Sequence, residues 1–388
     1  GQHYLLGATA WDGSSPNSTS GLYHFNESSG RLQLLQEIDS FGARRWLFFD
    51  LDGELHAAVA NYFGPSQIFR CRGGHGSNGS RTSLLSLDTD TALSLDIRAA
   101  SSLAAVSVHG VLYIMVSTFA DGVTSGRQSP SVLYRLRTAS QGRAEAHVVQ
   151  ELSVPHAAGM THFRHAGNLV VVFAVNHGDS PSLMFAARLA DFPLPNATSA
   201  ENVSASNASS ATAQAPLLRC CERYSAHVPT RLAESVQAVE IIGRQFLLVT
   251  ADRPTSLPSL LDDSQASSKL LLFNDSHFIG RADPSTSLQT SGGQLLNLTR
   301  NTHLAYVETS ASGFLVAGHF RDGSDGARAL QILPARVEQV EGLLRPTSVA
   351  VSTVDGRFLY VAASGTQSIA VFHRDAESGE LRPASVLS

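Results

Sequence analysis

Acidic residues recur beside the glycines that separate pairs of short apolar segments, and their chemistry is that of a calcium site. Ca²⁺ takes carboxylate and carbonyl oxygens as ligands, and turns arranged around a central channel would bring several such groups together. Asp50 and Asp52 are the candidate ligands, because they flank the best-formed turn. Ordinary turn chemistry is the alternative, since Asp-Gly is a favoured hairpin pair. The other acidic positions of this kind are Asp252, Asp322, Asp325 and Asp355.

The sequence does not predict an active site, because it lacks the known catalytic motifs and its histidines are not expected to form a shared site. The sequence holds no Gly-x-Ser-x-Gly elbow, no His-Glu-x-x-His pair and no Gly-x-x-x-x-Gly-Lys phosphate loop. His156, His162 and His165 are close in sequence, but residues three apart on a strand face opposite sides. We therefore predict isolated polar histidines, no catalytic residues and a protein that is not an enzyme.

The asparagines indicate the compartment. Eight of the twelve begin an Asn-x-Ser/Thr sequon, the acceptor of N-linked glycans. Chance sequons in a Ser-rich cytosolic protein are the alternative. We predict a secreted or cell-surface glycoprotein, with glycans at Asn17, Asn26, Asn78, Asn196, Asn202, Asn207, Asn274 and Asn297.

The three cysteines leave one thiol over. A bridge between Cys71 and Cys220 is not expected, since they lie two repeat units apart and disulfide Cα atoms must come within about 7 Å. We predict a vicinal disulfide between Cys220 and Cys221; buried thiols or a link to another chain are the alternatives. Too few cysteines are present, without paired spacing, for a zinc site.

Charge and hydropathy exclude two classes of partner. The net charge of −5 and the pI near 6.3 argue against nucleic acid. No apolar stretch approaches the ~18–20 residues that span a bilayer. The partners expected are other extracellular proteins or copies of the same chain.

Seven glycines occupy the same place in a repeated pattern of apolar segment, glycine, apolar segment, loop and aromatic-containing strand. The spacing from Gly53 to Gly110, and from Gly110 to Gly167, is 57 residues. Units of roughly 40–55 residues built from short strands are typical of propeller blades. The turns are predicted at Gly1, Gly53, Gly110, Gly167, Gly243, Gly313 and Gly356.

This pattern predicts an all-β, seven-bladed β-propeller in which residues 1–388 form a single domain. The nearly continuous apolar segments suit strands buried on both faces. Six units are complete and one is split, so strands from both termini are expected to complete one blade and close the ring. A missing strand predicts that the segment is part of a longer chain.

A low-complexity stretch at 194–216 interrupts the repeat. It is polar, consists of small residues and carries three of the sequons. We predict a disordered, glycosylated insertion, because such a composition cannot bury enough apolar surface to fold.

Residues 32–70 carry a longer pattern than the repeat itself. They read Gln-x-Ile in a first strand, Gly-Ala, two apolar segments around Gly53, Ala-Asn and then Ser-x-Ile-Phe. This resembles the EAR (EPTP) repeat, and residues 106–135 and 159–189 look like weaker copies. Proteins with seven such repeats form seven-bladed propellers and include secreted ligands and adhesion receptors. The resemblance therefore implies an extracellular binding or adhesion module.

The last unit resembles a different group of propellers. Residues 353–362 read Thr-Val-Asp-Gly-Arg-Phe-Leu-Tyr-Val-Ala, and 369–381 continue Ile-Ala-Val-Phe-His-Arg-Asp-Ala-Glu-Ser-Gly-Glu-Leu. This is similar to blades of the lactonase-like (YVTN-type) propellers, with Thr-Val in place of Ser-Pro. The likeness mostly reflects blade geometry and does not imply activity.

The functional prediction follows from these points. We expect a non-enzymatic, extracellular protein-binding or adhesion propeller, a scaffold or structural part of a larger cell-surface assembly such as an appendage, filament or matrix. The alternative is a secreted lactonase-like hydrolase that uses the central channel. Ca²⁺ in that channel is the only cofactor predicted.

Overall fold

The computed structural model describes residues 3–9, 17–26, 29, 31–73, 84–119, 130–139, 143–177, 180–194, 216–220, 227–228, 230, 233–241, 244–251, 269–274, 277–279, 301–308, 313–319, 328–331, 337–339, 346–351, 358–363, 368–374 and 381–387. Within them the chain is built from antiparallel strands and one short 3₁₀ turn, Leu189–Asp191.

The strands form seven sheets that follow one another along the chain, which confirms the predicted seven-bladed β-propeller. Blade one contains β1 (His3–Gly7), β2 (Asn17–Asn26) and β3 (Arg31–Phe41). Blade two contains β4 (Ala43–Leu51), β5 (Glu54–Asn61), β6 (Ser66–Arg72) and β7 (Ser86–Leu95). Blade three contains β8 (Ala100–Val108), β9 (Val111–Thr118), β10 (Ser131–Thr138) and β11 (Ala144–Leu152).

The remaining four blades repeat this order. Blade four contains β12 (Ala157–His165), β13 (Asn168–Val175), β14 (Ser182–Arg188), β15 (Arg219–Cys220) and β16 (His227–Val228), the last two both paired with β14. Blade five contains β17 (Ala233–Ile241), β18 (Arg244–Ala251), β19 (Lys269–Asn274) and β20 (His277–Ile279). Blade six contains β21 (Asn301–Glu308), β22 (Gly313–His319), β23 (Arg328–Gln331) and β24 (Val337–Gln339). Blade seven contains β25 (Pro346–Val351), β26 (Phe358–Ala363), β27 (Ser368–Arg374) and β28 (Leu381–Leu387).

The second strand of each well-described blade is the most buried, as the apolar runs predict. All eight residues of β13, Asn-Leu-Val-Val-Val-Phe-Ala-Val, are buried. Branched and aromatic side chains fill both of its faces, because each face of a blade packs on a neighbouring blade.

The hairpins between first and second strands have the geometry that the glycine spacing predicts. Both central residues have positive φ in Asp52-Gly53 (54° and 83°) and in the equivalent pairs His109-Gly110 and Ala166-Gly167. This is the type I′ turn, whose twist matches that of the flanking strands. In blade six, Gly313 was predicted at the turn but is the first residue of β22, where it pairs with Glu308. Gly1, Gly243 and Gly356 are outside the described residues.

The outermost strands are assigned differently from the sequence prediction. The Gln-x-Ile strand, treated above as the start of a unit, pairs with β2 and is the last strand of blade one. The C-terminal segment likewise pairs with β27 and completes blade seven. The two chain ends therefore contribute to different sheets. The first and last blades pack against each other through a hydrophobic cluster of Phe25, Leu32, Phe358, Tyr360 and Val371.

A glutamine of the outermost strand joins neighbouring blades. The Gln36 side chain accepts from the Leu87 N–H at 2.7 Å and donates to the Leu87 carbonyl at 3.0 Å. Gln150 makes the same pair of bonds to Leu218, at 2.7 and 2.8 Å. The Gln-x-Ile element of the repeat thus satisfies the backbone of an edge strand in the next blade.

Candidate functional site

The propeller has two faces, which we name by the ends of its innermost strands. The upper face is where the first strand of each blade begins and the second strand ends; for example, Ala43 pairs with Asn61. The lower face carries the hairpin turns described above. The first strands of neighbouring blades contact one another, so their beginnings lie together at the centre of the upper face.

The backbone of the upper face repeats with the same spacing as the turn glycines. The N–H of Tyr62 donates to the Gly42 carbonyl at 3.0 Å, and the equivalent bond joins Phe119 to Ala99 at 2.7 Å. In blade four the Asn176 N–H donates to the His156 carbonyl at 3.0 Å. The accepting residues, Gly42, Ala99 and His156, all have positive φ, of 67°, 54° and 50°.

This frame presents an aromatic row across blades two, three and four. The ring centroids of Phe63 and Tyr62 are 4.9 Å apart, those of Tyr62 and Phe119 6.5 Å, and those of Phe119 and His156 5.5 Å. The His156 ring stacks on His177 at 4.2 Å and 8°. Phe63 is 45% exposed, and His177 is also exposed. We call Phe63, Tyr62, Phe119, His156 and His177 the aromatic row.

Two arginines flank the aromatic row at the start of β4. The Arg44 guanidinium lies over the Tyr62 ring, 4.9 Å from its centroid, in a cation–π contact. Arg45 donates from Nη1 to the Ser102 Oγ at 3.3 Å. The Arg45 side chain is exposed to solvent, yet desolvation lowers its pKa. The Arg45 guanidinium is therefore surrounded by protein atoms while the side chain keeps contact with solvent.

The innermost strand of each of blades two to seven is irregular at the same point. The register shifts after its first residue, as between Ala43 and Arg45 or between Ala100 and Ser102. The same shift occurs in β12, β17, β21 and β25. A β-bulge redirects side chains, and here its extra residue is Arg44 in blade two and Ser101 in blade three.

The innermost strands are held together by polar side chains. The Ser101 hydroxyl donates to the Ala157 carbonyl, and the Thr161 hydroxyl accepts from the Ala238 N–H at 3.0 Å. Gly159 allows the closest approach, since a Cβ there would lie 3.2 Å from the Glu234 carbonyl oxygen. Hydrogen bonds and close packing therefore join the innermost strands of blades three, four and five.

The predicted calcium ligands lie on the lower face, where both carboxylates already accept hydrogen bonds. Asp50 Oδ1 accepts from the Gly53 N–H at 2.9 Å, and Asp52 Oδ2 accepts from the Thr138 hydroxyl at 2.7 Å. No group of three or more His, Cys, Asp or Glu suited to a metal occurs in the described part of the chain. Asp252, Asp322, Asp325 and Asp355 lie outside it. The Ca²⁺ site stays a prediction.

The three clustered histidines separate in the structure. His156 belongs to the aromatic row, while the His165 ring meets Phe273 edge-on at 4.9 Å. Burial, and then the nearby Arg164 charge, lowers the pKa of His162. The aromatic row was missed by motif searching. Its signal was the 57-residue spacing of Tyr62 and Phe119, which equals the spacing of the turn glycines.

The cysteine and glycan predictions are only partly placed. Cys71 is a free thiol, and burial raises its pKa to about 12. Cys220 lies in β15, opposite Phe185, and Cys221 is outside the described residues.

Among the sequons, Asn26 is exposed at the end of β2, where its Oδ1 accepts from the Ser29 N–H at 3.2 Å. The asparagine side chains of the other seven sequons lie outside the described part. So does the insertion predicted at 194–216, apart from its two ends.

A separate groove of about 530 Å³ runs between blades two and three. Leu95 and Ile97 of one blade and Val132, Tyr134 and Val148 of the next contribute to its walls. Desolvation raises the pKa of Tyr134, and the charges of Asp96 and Glu151 add to the shift.

No described helix is long and apolar enough to span a bilayer.

Comparison with protein families confirms the resemblance stated above. Residues 31–70 match the EPTP domain, so the matched segment runs from β3 to β6 and crosses a blade boundary. No curated protein matches the sequence. The chain is therefore a β-propeller that carries an EPTP domain.

Three of the solved structures with a similar fold carry lactonase names and come from bacteria. A candidate 6-phosphogluconolactonase from Bacteroides fragilis is 13% identical, with a TM-score of 0.58, and the match covers 100% of this chain and 95% of that one. A periplasmic gluconolactonase from Pseudomonas aeruginosa is 15% identical, with a TM-score of 0.54 and coverage of 100% and 96%. A candidate 6-phosphogluconolactonase from Bacteroides uniformis is 12% identical, with a TM-score of 0.54 and coverage of 99% and 98%.

These similarities overturn the prediction that the protein is not an enzyme. The exclusion rested on absent motifs, yet the chain shares its fold over its whole length with structures that bear lactonase names. Missing motifs of other enzyme classes are no argument against an activity that such a fold supports without them. At these identities the similarity itself shows the fold alone.

Proposed function

We propose that the protein is a sugar-lactone hydrolase that takes its substrate at the upper end of the central opening. The observation that carries the proposal is that Arg45, bonded to Ser102, and His156, stacked on His177, both lie where innermost strands begin on the upper face. The fold is shared with structures that bear lactonase names. On the lower face the carboxylates of the turns already accept hydrogen bonds, Asp50 from the Gly53 N–H and Asp52 from Thr138 of the next blade.

The chemistry follows from the two residue types. Water attacks the lactone carbonyl carbon while the His156 imidazole accepts its proton. The ring C–O bond then breaks, and the imidazolium returns the proton to the departing alkoxide oxygen. The product is the open hydroxy acid, whose carboxyl group releases a proton to solvent.

Arg45 supports this reaction through its charge. Its guanidinium stays protonated despite a lowered pKa, because the ordinary pKa of arginine is above 12. A cation that is surrounded by protein atoms stabilises the oxyanion of the tetrahedral intermediate more strongly than one in bulk water does. The hydrogen bond to Ser102 holds the side chain in place.

The test is proton release from glucono-δ-lactone and 6-phosphogluconolactone, measured in a pH-stat above the spontaneous rate. We expect Arg45→Gln and His156→Asn each to lower kcat/KM by about 100-fold, with the melting temperature nearly unchanged. Arg164→Gln and His109→Asn are the matched controls, since both side chains bond carbonyls of neighbouring blades away from the upper face.

Two results would remove the proposal. One is a wild-type rate equal to the spontaneous rate for both lactones. The other is full activity in both Arg45→Gln and His156→Asn, which would place any hydrolysis elsewhere.

A second candidate function is extracellular protein binding, as a scaffold or adhesion module in a larger assembly. The EPTP match and the sequons favour it, together with the exposed Asn26. The partners would be other extracellular proteins or copies of this chain. Sedimentation of the secreted protein with cross-linking on its native cells tests this role; a protein that carries no glycan and cross-links to nothing would contradict it.

A further inference from the structure

We infer that the groove between blades two and three binds a small amphipathic amine, whose ammonium group lies between Asp96 and Glu151 and whose apolar body lies along the groove. This goes beyond lactone hydrolysis, because none of the residues proposed for that reaction lines the groove. The inference rests on the size of the groove, on an unbonded hydroxyl in its wall and on the charges beside that hydroxyl.

The groove has the dimensions of a small-molecule site. Its volume of about 530 Å³ lies within the roughly 300–1,000 Å³ that is usual for such sites, which are mostly apolar with a few polar groups. Leu95 and Ile97 contribute to one wall, and Val132 and Val148 to the other. Val148 is 59% exposed, so a ligand that packs against it removes apolar surface from water.

The Tyr134 hydroxyl is the unbonded polar group of this wall. The residue is only 6% exposed, and its ring belongs to the hydrophobic core shared by blades two and three. No hydrogen bond joins its hydroxyl to another residue in the described part of the chain. Since a buried tyrosine usually has a partner for its O–H group, a ligand in the groove would supply one.

The charges beside this hydroxyl select a cation. Burial, and then the charges of Asp96 and Glu151, raises the pKa of Tyr134, which places both carboxylates near its hydroxyl. Arg98 is the one basic residue among those that line the groove, and its charge has no part in this shift. The two carboxylates therefore dominate the electrostatics at the hydroxyl.

A primary ammonium group matches these three oxygen-bearing side chains. It carries three N–H donors and no acceptor, so it can donate to Asp96, to Glu151 and to the Tyr134 oxygen together. Hydrogen bonds between a charged donor and a carboxylate are about twice as strong as neutral ones. An amine is therefore preferred over an alcohol of the same shape.

A small molecule fits the groove better than a partner protein does. Stable protein interfaces bury about 1,200–2,000 Å² over a broad surface. Among the large apolar residues that line the groove, Val148 alone is exposed. The rim therefore offers little apolar surface to a second chain.

The experiment is calorimetric titration of the full-length protein with 4-phenylbutylamine, with the matched neutral alcohol 4-phenylbutan-1-ol and with a tetralysine peptide. We expect the amine to bind at least about tenfold more tightly than the other two. Asp96→Asn and Glu151→Gln should each raise Kd for the amine by about tenfold, and Tyr134→Phe by about threefold. The matched control is Glu145→Gln, which removes a carboxylate of the same strand that bonds Arg137 and does not line the groove; it should leave Kd unchanged.

The outcomes separate this inference from the proposed function. Glu151→Gln should leave lactone hydrolysis unchanged, and Arg45→Gln should leave amine binding unchanged. Melting temperatures equal to that of wild type would show that a variant with weaker binding is still folded.

Three results would overturn the amine site. They are equal affinity for the amine and the alcohol, no binding of the amine at about 1 mM, and an unchanged Kd in both carboxylate variants. Binding of tetralysine as tight as that of the amine would assign the groove to a basic protein partner and likewise reject the inference.

Discussion

The two faces of this propeller share one repeat but use their polar groups differently. On the lower face, Asp52 bonds Thr138, His109 Nε2 lies 2.8 Å from the Leu189 carbonyl, and Arg164 bonds the Ser107 carbonyl. Each of these contacts joins one blade to the next. On the upper face the backbone bonds repeat just as regularly, and the side chains beside them include four that are exposed to solvent, Phe63, His177, Arg44 and Arg45.

The difference shows where to look for function in a repeat fold. Turn residues are conspicuous in the sequence because their geometry demands glycine and aspartate, but their polar groups are satisfied within the molecule. On the upper face the frame combines backbone bonds with polar side chains such as Asn61, which accepts from the Phe41 N–H, and Ser101, which donates to the Ala157 carbonyl. Phe63, His177, Arg44 and Arg45 are exposed beside this frame, where a ligand can reach them.

The largest expected effect is at the upper end of the innermost strands. Gly159→Val should lower the free energy of unfolding by about 3 kcal/mol, because the new side chain meets backbone atoms of β17 that have no room to move. Thermal and urea unfolding of the purified variant measure this.

Gly159→Ala is the graded control for that experiment, with an expected loss of about 1 kcal/mol. A Val variant as stable as wild type would mean that the innermost strands are not rigid. The preorganised site on the upper face would then lose its support.

A smaller effect is expected on the lower face. Gly110→Val should cost about 2 kcal/mol, because a β-branched residue is strained at a φ of 77°, even though the space around a Cβ there is open. Gly110→Asn is the matched variant and should cost well under 1 kcal/mol, since asparagine tolerates this conformation. Equal losses in the two variants would show that crowding, rather than backbone strain, sets the turn residue.

The smallest effect concerns pH. The unfolded chain protonates His162 near its ordinary pKa of about 6.5, whereas burial and Arg164 lower the pKa in the folded protein. The folded state therefore loses stability as the pH falls below about 6.5. His162→Asn should flatten this part of the stability profile, with His109→Asn as the control; parallel profiles for wild type and His162→Asn would contradict the assignment.

The sequence predicted the blades well and the site poorly. The turn glycines are recognisable in the sequence because their turns require a positive φ, and that requirement is local. They are Gly53, Gly110 and Gly167. Tyr62, Phe119 and His156 come from different blades and form a row only after the blades pack side by side. Arg44 and Arg45 are adjacent in the chain, yet one covers a ring of its own blade and the other bonds the next blade.

Assignment of the outermost strands shows the same limit. The sequence repeat, like the EPTP match at 31–70, begins with a strand that belongs to the preceding blade. Hydrogen bonds across a sheet determine with which strand another strand pairs. The sequence pattern alone does not predict whether an outer strand pairs with the preceding or the following blade.

The sequence by itself determined the all-β class, the number of blades and the hairpin turns, because strand burial and turn conformation depend on neighbouring residues. Only the tertiary structure decided which polar groups are satisfied between blades and which rings remain exposed on the upper face. Those properties depend on distances between blades, and residues 57 positions apart become neighbours only when the propeller is assembled.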